Sequence, residues 1–169
     1  MSQPPTEPLG PQHAREAFGS GSDALDTFLK RQARQEQERN ISVCWILPDP
    51  KDPTRIRGYY TLSAYSVKLT DLPEDVRKRL PKYPDMPAAL LGRLAVDAQF
   101  RGQGHGEHLL LDAMQKVLTA SETMGTLVLV VDAKDQQAAE FYQHFDFILF
   151  PSQPLRLFLP LATIQRLLG

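Results

Sequence analysis

Residues 91–107, LGRLAVDAQFRGQGHGE, join an apolar strand pattern to a glycine-rich loop and then to the first turn of a helix. Gly102, Gly104 and Gly106 alternate with other residues just after the strand pattern ends. A loop of this kind points successive backbone amides and a helix N-terminus at one spot, which suits an anionic phosphate. The stretch therefore predicts either a phosphate site in an α/β domain or a glycine-rich helix start without a ligand.

The sequence before this stretch predicts a helix and a hairpin. Apolar residues at helical spacing begin after Ser22, a suitable N-cap, and stop near Asn40. Residues 41–47 and 56–67 are rich in β-branched and aromatic side chains around a proline-rich turn, as in a β-hairpin. Apolar spacing over residues 72–80 predicts a further short helix.

The sequence after the stretch alternates helices and strands. It predicts a helix from Gly106, a buried strand over residues 126–131, a helix capped by Asp135, and late strands over residues 147–150 and 155–159. Together with the first half, this order predicts an α/β (α+β) fold in which helices flank a mixed central sheet.

Length and composition predict one soluble domain over residues 1–169, with residues 1–15 poorly ordered or extended. The formal net charge is −1, and Cys44 is the single cysteine, so a reducing, cytoplasmic setting is expected. The longest apolar run, residues 127–131, is too short to cross a bilayer, and the first residues do not resemble a signal peptide.

Two common phosphate motifs do not fit the glycine loop. A P-loop requires a Gly-Lys-Ser/Thr sequence that is absent here. A dinucleotide fingerprint starting at Gly102 requires glycine where Glu107 stands. The loop needs another explanation.

The pattern Arg101-x-x-Gly104-x-Gly106 after an apolar strand resembles the acyl-CoA motif of the GNAT N-acetyltransferase superfamily. The resemblance implies acetyl-CoA as cofactor, with loop amides on the diphosphate and strand amides on the pantetheine arm. Glycines suit this role because a Cβ would keep the backbone away from the phosphates. The cofactor-binding positions implied are Leu94, Ala95, Val96, Arg101, Gly102, Gln103, Gly104, His105, Gly106 and Glu107.

A second motif follows on the next predicted helix, Asp135-x-x-Ala138-x-x-Phe141-Tyr142. It is similar to a GNAT motif whose tyrosine protonates the departing thiolate, which makes Tyr142 the candidate catalytic acid and adds Asp135, Ala138 and Phe141 to the cofactor site. The alternative is that Tyr142 is a core aromatic residue. Two positions depart from the family pattern, because Asp135 replaces an asparagine and Asp146 replaces a glycine.

A narrower resemblance covers residues 18–161. It is carried by Phe18-x-x-Gly21, Leu25-Asp26, Phe28-Leu29, Gly58-Tyr59-Tyr60-Thr61-Leu62-Ser63, Leu91-Gly92-Arg93-Leu94-Ala95-Val96-Asp97 and the segment from Pro154-Leu155 to Leu159-Pro160. These motifs are similar to the GNAT toxins of bacterial type II toxin–antitoxin pairs, which acetylate the α-amine of aminoacyl-tRNA and so block translation. The resemblance also implies a ribbon-helix-helix antitoxin as partner, and homodimers are common in that group.

Cations that could contact tRNA phosphates lie mostly before residue 102. Lys30, Arg31 and Arg34 share the outer face of the first predicted helix. Arg93 lies within the strand, where an arginine needs a carboxylate partner or an anionic ligand.

No general base or metal site is predicted. The α-amine of an aminoacyl ester is substantially neutral near pH 7, so direct attack on the thioester needs no strong base. His105 and His108 lack further metal ligands and are expected on the surface at the helix start. Two other functions stay open: a GNAT enzyme for a small amine, polyamine or protein N-terminus, and a catalytically silent module that binds acyl-CoA or an antitoxin.

Overall fold

The computed structural model describes residues 5–169. The strands are β1 (Glu7–Pro8), β2 (Val43–Asp49), β3 (Asp52–Lys68), β4 (Asp85–Val96), β5 (Val128–Asp132), β6 (Ile148–Phe150) and β7 (Gln153–Pro160). The helices are α1 (Asp23–Arg31), α2 (Ala33–Glu38), α3 (Glu74–Arg77), α4 (His105–Thr123), α5 (Gln136–His144) and α6 (Leu161–Leu168). Within this part of the chain, no helix is long and apolar enough to span a membrane.

The strands form one sheet in the order β1-β2-β3-β4-β5-β7-β6. The hairpin of β2 and β3 is antiparallel, β4 and β5 are parallel, and β7 is antiparallel to both β5 and β6. The parallel pair is joined by α4, since parallel neighbours need a crossover rather than a tight turn. The predicted fold class, a mixed sheet with flanking helices, is confirmed.

The helix predicted between Ser22 and Asn40 is two helices. Ser22 caps α1 by accepting a hydrogen bond of 3.4 Å from the Leu25 amide. At Gln32 the backbone turns to φ −120°, and α2 follows and ends before Asn40, whose φ is 59°. Asparagine is one of the few residues that adopts this left-handed backbone readily, so it stops the helix as predicted.

By its contacts the chain divides into two compact units, each made of two segments. The first contains the described residues up to Ser63 together with Gly92–Ala113. Its core packs α1 and α2 against β2 and β3, and the buried Tyr59 hydroxyl donates a 2.7 Å hydrogen bond to the Leu25 carbonyl. Burial also raises the pKa of the Cys44 thiol to about 12, which keeps it protonated and unreactive.

The second unit contains Ala64–Leu91 and Met114–Gly169. Its core joins β4, β5 and β7 to the short helix α3 through a cluster of buried side chains: Val67, Leu72, Val76, Met86, Ala88, Val128, Val130, Phe150 and Phe158. The prediction that residues 1–169 form one domain stays a prediction.

Candidate active site

The glycine loop has the open, left-handed backbone that a phosphate cradle requires. Gly102 and Gly104 have φ values of 75° and 81°, where other residues are strained. A Cβ built at either glycine would meet no atom within 4 Å, so the space beside the backbone is open. Helix α4 starts directly after this loop, and its first hydrogen bond joins the His108 amide to the Gly104 carbonyl at 3.0 Å.

Arg101 connects this loop to the segment before α1. Its guanidinium donates a hydrogen bond to the Ser20 carbonyl. A Cβ at Gly21, where φ is 93°, would lie 2.7 Å from Arg101 Nη2, so this position requires glycine. The side chain of Arg101 therefore anchors the loop, and its predicted cofactor role stays a prediction.

His105 corrects a prediction, because the side chain expected on the surface is buried. It is 3% exposed, and its ring meets the ring of Phe100 edge-on at a centroid distance of 6.2 Å. Neither ring nitrogen has a hydrogen-bond partner among the described residues. Burial lowers the pKa of His105, and the Arg57 guanidinium lowers it further. The spacing of His105 and His108 carried no sign that the first residue of α4 turns inward.

Strand β4 extends beyond the end of its pairing with the parallel strand β5. The ladder between β4 and β5 ends at the pair Leu91 and Val131, whereas β4 itself continues to Val96. The backbone around Leu94 and Val96 is thus outside that ladder and leads straight towards the glycine loop. Polar groups of such a strand segment are suited to pair with an extended ligand.

Tyr142 lies on α5, which Asp135 caps. Asp135 Oδ1 accepts a 2.8 Å hydrogen bond from the Ala138 amide, so this aspartate performs the capping role that the sequence predicted. Tyr142 is buried, with Phe141 and Phe147 against its ring at centroid distances of 5.3 and 5.5 Å.

The Tyr142 hydroxyl carries its proton at neutral pH. It forms no hydrogen bond with any residue that the structure describes, and its oxygen is not among the fully buried polar atoms that lack a partner. Burial raises the pKa of Tyr142, and the Asp132 carboxylate raises it further, so the phenol stays protonated. The ring has the surroundings of a core aromatic residue, and the role of its hydroxyl as the catalytic acid stays a prediction.

Comparison with known proteins identifies the family. Residues 70–149 match the model of the acetyltransferase (GNAT) domain. A probable toxin TacT of Sinorhizobium fredii is 32% identical to this chain, over 96% of this chain and 94% of its own length. A tRNA-acetylating toxin of Mycobacterium tuberculosis is 36% identical to this chain, over 90% of this chain and 89% of its own length. The chain belongs to the GNAT acetyltransferases.

Solved structures of similar proteins match over almost the whole chain. A tyrosine-to-phenylalanine mutant of KacT has a TM-score of 0.89 at 32% identity, covering 98% of this chain and 99% of that one. AtaT complexed with acetyl-methionyl-tRNAfMet has a TM-score of 0.88 at 31% identity, covering 97% of this chain and 98% of that one. An AtaT tyrosine-to-phenylalanine mutant, bound to acetyl-CoA and the C-terminus of the antitoxin AtaR, has a TM-score of 0.82 at 28% identity, covering 97% of each chain.

Arg93 of this GNAT acetyltransferase stacks on an aromatic ring. Its guanidinium carbon is 3.6 Å from the centre of the Phe28 ring, and it forms no ion pair with any described residue. Both side chains line an open cleft of about 470 Å³ with Thr27 and Gln32. The arginine thus keeps its positive charge available at a surface cleft.

The other candidate tRNA contacts lie on α1 and α2. Lys30 is half-buried and Arg31 is exposed in the last turn of α1. Arg34 donates a 2.9 Å hydrogen bond to Glu38 four residues later, and both side chains are exposed. Such a surface pair contributes only about 0.3–0.5 kcal/mol, so Arg34 can exchange its partner for a phosphate at little cost.

The GNAT acetyltransferase also holds a polar cluster that the sequence analysis missed. Asp132, the last residue of β5, pairs in register with Arg156 of β7. Arg156 donates two hydrogen bonds to the Asp132 carboxylate and one to the Tyr65 hydroxyl. No local motif joins these three residues, because they come from different strands and only the register of the sheet brings them together.

Proposed function

We propose that this protein transfers the acetyl group of acetyl-CoA to the α-amine of aminoacyl-tRNA and acts as a toxin that blocks translation. One observation carries the proposal. Strand β4 continues beyond the end of its ladder with β5, and an open glycine loop with left-handed backbone follows it at the start of α4. A relative that is 36% identical bears the name tRNA-acetylating toxin, and AtaT has been solved with acetyl-methionyl-tRNAfMet.

The residues present fit acetyl-CoA. The amides of Gln103, Gly104, Gly106 and Glu107 bind the diphosphate, since the glycines leave the backbone uncovered and the N-terminus of α4 favours negative charge. The backbone of Leu94 and Val96 binds the pantetheine arm. When bound, the cofactor supplies an acetyl thioester that a neutral amine can attack.

Tyr142 acts as the general acid. Its hydroxyl holds a proton well above neutral pH and delivers it to the sulfur as that atom becomes negatively charged. Backbone amides would polarise the carbonyl, the neutral amine would attack it directly, the C–S bond would break, and the nitrogen would lose its extra proton to solvent. Solved relatives include KacT and AtaT with a tyrosine replaced by phenylalanine, which agrees with a functional phenol in this family.

Lys30, Arg31, Arg34 and Arg93 contact the tRNA phosphates. Shape and backbone contacts dominate recognition of a double-stranded acceptor stem, so clustered cations suffice for orientation. The cationic cleft beside Phe28 provides one such contact.

The partner of this toxin is an antitoxin. AtaT has been solved with the C-terminus of the antitoxin AtaR and acetyl-CoA together, which supports a peptide that binds the toxin without displacing the cofactor. The protein acts in the cytoplasm, where charged tRNA is found, and a homodimer is its expected state.

Incubation with labelled acetyl-CoA tests the function. Aminoacyl-tRNA should gain label, whereas uncharged tRNA and polyamine should not, and the Tyr142→Phe variant should label aminoacyl-tRNA far more slowly. Label on polyamine alone would establish a small-amine acetyltransferase instead. Tight binding of CoA without any labelled acceptor would establish a silent binding module.

A further inference from the structure

Asp132 is a carboxylate fixed in place but still open to a ligand. Arg156 Nε lies 2.8 Å from Asp132 Oδ1, and Arg156 Nη2 lies 3.2 Å from Oδ2. The Asp132 side chain nevertheless remains 40% exposed. Each carboxylate oxygen can accept more than one hydrogen bond, so the guanidinium leaves acceptor positions unused.

Arg156 is itself held from a second side. Its guanidinium donates to the Tyr65 hydroxyl and lies over the Tyr65 ring, with 5.2 Å between its central carbon and the ring centre. It is therefore fixed by a carboxylate, a hydroxyl and an aromatic face. A partly exposed ion pair contributes little to stability, so three contacts fix the orientation of the guanidinium more than they stabilise the fold.

Asp132 also occupies a distinctive position in the sheet. The ladder between β4 and β5 ends at Leu91 and Val131, and Asp132 is the next residue of β5. Its carboxylate is close enough to Tyr142 to raise the pKa of that phenol. The nearest lysine in sequence, Lys134, has its ammonium group 3.9 Å from Asp135 instead.

Asp132 is thus an oriented carboxylate on the strand end where β5 leaves its parallel partner. We propose that Asp132 binds the α-amino group of the acceptor by accepting an N–H hydrogen bond, and that Arg156 is the positioning residue that orients its carboxylate. This inference rests on the proposed function. An N–H donated to Asp132 leaves the nitrogen lone pair directed elsewhere, which is the orientation that attack on a thioester needs.

The charge of the cluster selects among amines. Arg156 neutralises Asp132, so the pair has no net charge to attract a polycation. It offers oriented acceptor atoms to one amino group only. This suits a single α-amine next to an ester better than a polyamine, which is bound best by several unpaired carboxylates.

Asp132→Asn is the decisive variant, because it removes the charge while keeping the size of the side chain. We expect kcat/KM for aminoacyl-tRNA to fall by about 10- to 100-fold, the range of a lost charge-assisted hydrogen bond. The Kd values for CoA and for uncharged tRNA should not change. Arg156→Lys should give a smaller loss, because the positive charge stays while the two-point contact is lost.

Binding separates an amine contact from a structural one. In the Tyr142→Phe background, tRNA carrying a non-hydrolysable amide-linked aminoacyl group should bind more tightly than uncharged tRNA. Adding Asp132→Asn should make the affinities for the aminoacyl analogue and for uncharged tRNA equal. Glu140→Gln removes one exposed carboxylate from α5 and should change none of these values.

The outcomes distinguish the two proposals. Wild-type protein that labels no aminoacyl-tRNA would overturn the proposed function and this inference with it. Active wild-type protein with an equally active Asp132→Asn variant would overturn this inference alone. Equal losses of affinity for charged and uncharged tRNA, or a lowered melting temperature with weaker CoA binding, would show that the cluster is only structural.

Discussion

Arg93 lies flat on Phe28, with 3.6 Å between the guanidinium carbon and the ring centre. An arginine in a strand was expected to need a carboxylate or an anionic ligand. The ring provides a third solution, because a π-face stabilises the cation without neutralising it. The full charge therefore remains at the cleft that Arg93 and Phe28 line.

Replacing this arginine should weaken tRNA binding specifically. Arg93→Leu should reduce affinity for tRNA several-fold and lower the slope of log affinity against log salt by about 1, since one phosphate contact is lost. Titrations at several salt concentrations measure both quantities. Affinity for CoA should be unchanged, and Arg39→Gln, an exposed charge outside the proposed contacts, serves as control. An unchanged salt slope would remove Arg93 from the tRNA interface.

Tyr142→Phe should slow the reaction by about 100-fold or more, because it removes the proton donor while keeping the ring. The Kd for CoA should stay near the wild-type value. Because the pKa of Tyr142 is raised above its ordinary value of about 10, ionisation of this phenol should not reduce wild-type activity up to that pH. Rates from pH 7 to 10 check the point, and an undiminished rate in the variant would exclude Tyr142 as the acid.

Gly104→Glu should abolish CoA binding, since it places bulk and negative charge where the diphosphate binds and strains a backbone with φ of 81°. Gly125→Glu is the matched control, because Gly125 is exposed and has no positive φ. Calorimetric titration with CoA compares them. Normal CoA affinity in Gly104→Glu would show that the loop is not the diphosphate site.

His105 should make the protein less stable in acid. Its pKa is lowered in the folded state, so the unfolded chain binds more protons once the pH falls below the ordinary value of about 6.5. The contribution of neutral His105 is therefore complete above that pH and is lost progressively below it. His105→Leu should raise the melting temperature more at pH 5 than at pH 8. An equal change at both pH values would contradict this assignment.

Asp146→Gly should stabilise the protein by about 0.5–1 kcal/mol, because Asp146 has φ of 71° and glycine adopts that backbone without strain. The family pattern that the motif resembles has glycine at this position, which suits the left-handed backbone after α5. Urea unfolding measures the gain. Asp146→Ala keeps the Cβ and should show no gain, so equal stabilisation by both variants would point to the lost charge instead.

The sequence predicted the features that depend on local chemistry. Ser22 and Asp135 cap their helices as expected, since a cap needs only a short polar side chain at one position. The sheet class followed from the order of the elements. The strand β1 and the C-terminal helix α6 were not predicted. Strand β1 has only two residues, too few to show an alternating pattern. Helix α6 follows β7 in the chain without a loop, and the two have similar composition.

What the sequence could not predict depends on tertiary contacts. His105 is buried with the Phe100 ring edge-on to it, and Asp132 meets Arg156 because β5 and β7 pair in one register. Neither relationship is written in a local spacing. The same limit applies to Arg93, whose aromatic partner comes from α1.

The contact between Gly21 and Arg101 joins positions that are far apart in the chain. The guanidinium occupies the volume that a methyl group at position 21 would need. A side chain at position 21 would push the flexible end of Arg101 away from the Ser20 carbonyl, and the φ of 93° would strain it whatever residue stands at position 101. Among homologues, we therefore expect glycine at position 21 even where position 101 has a shorter side chain.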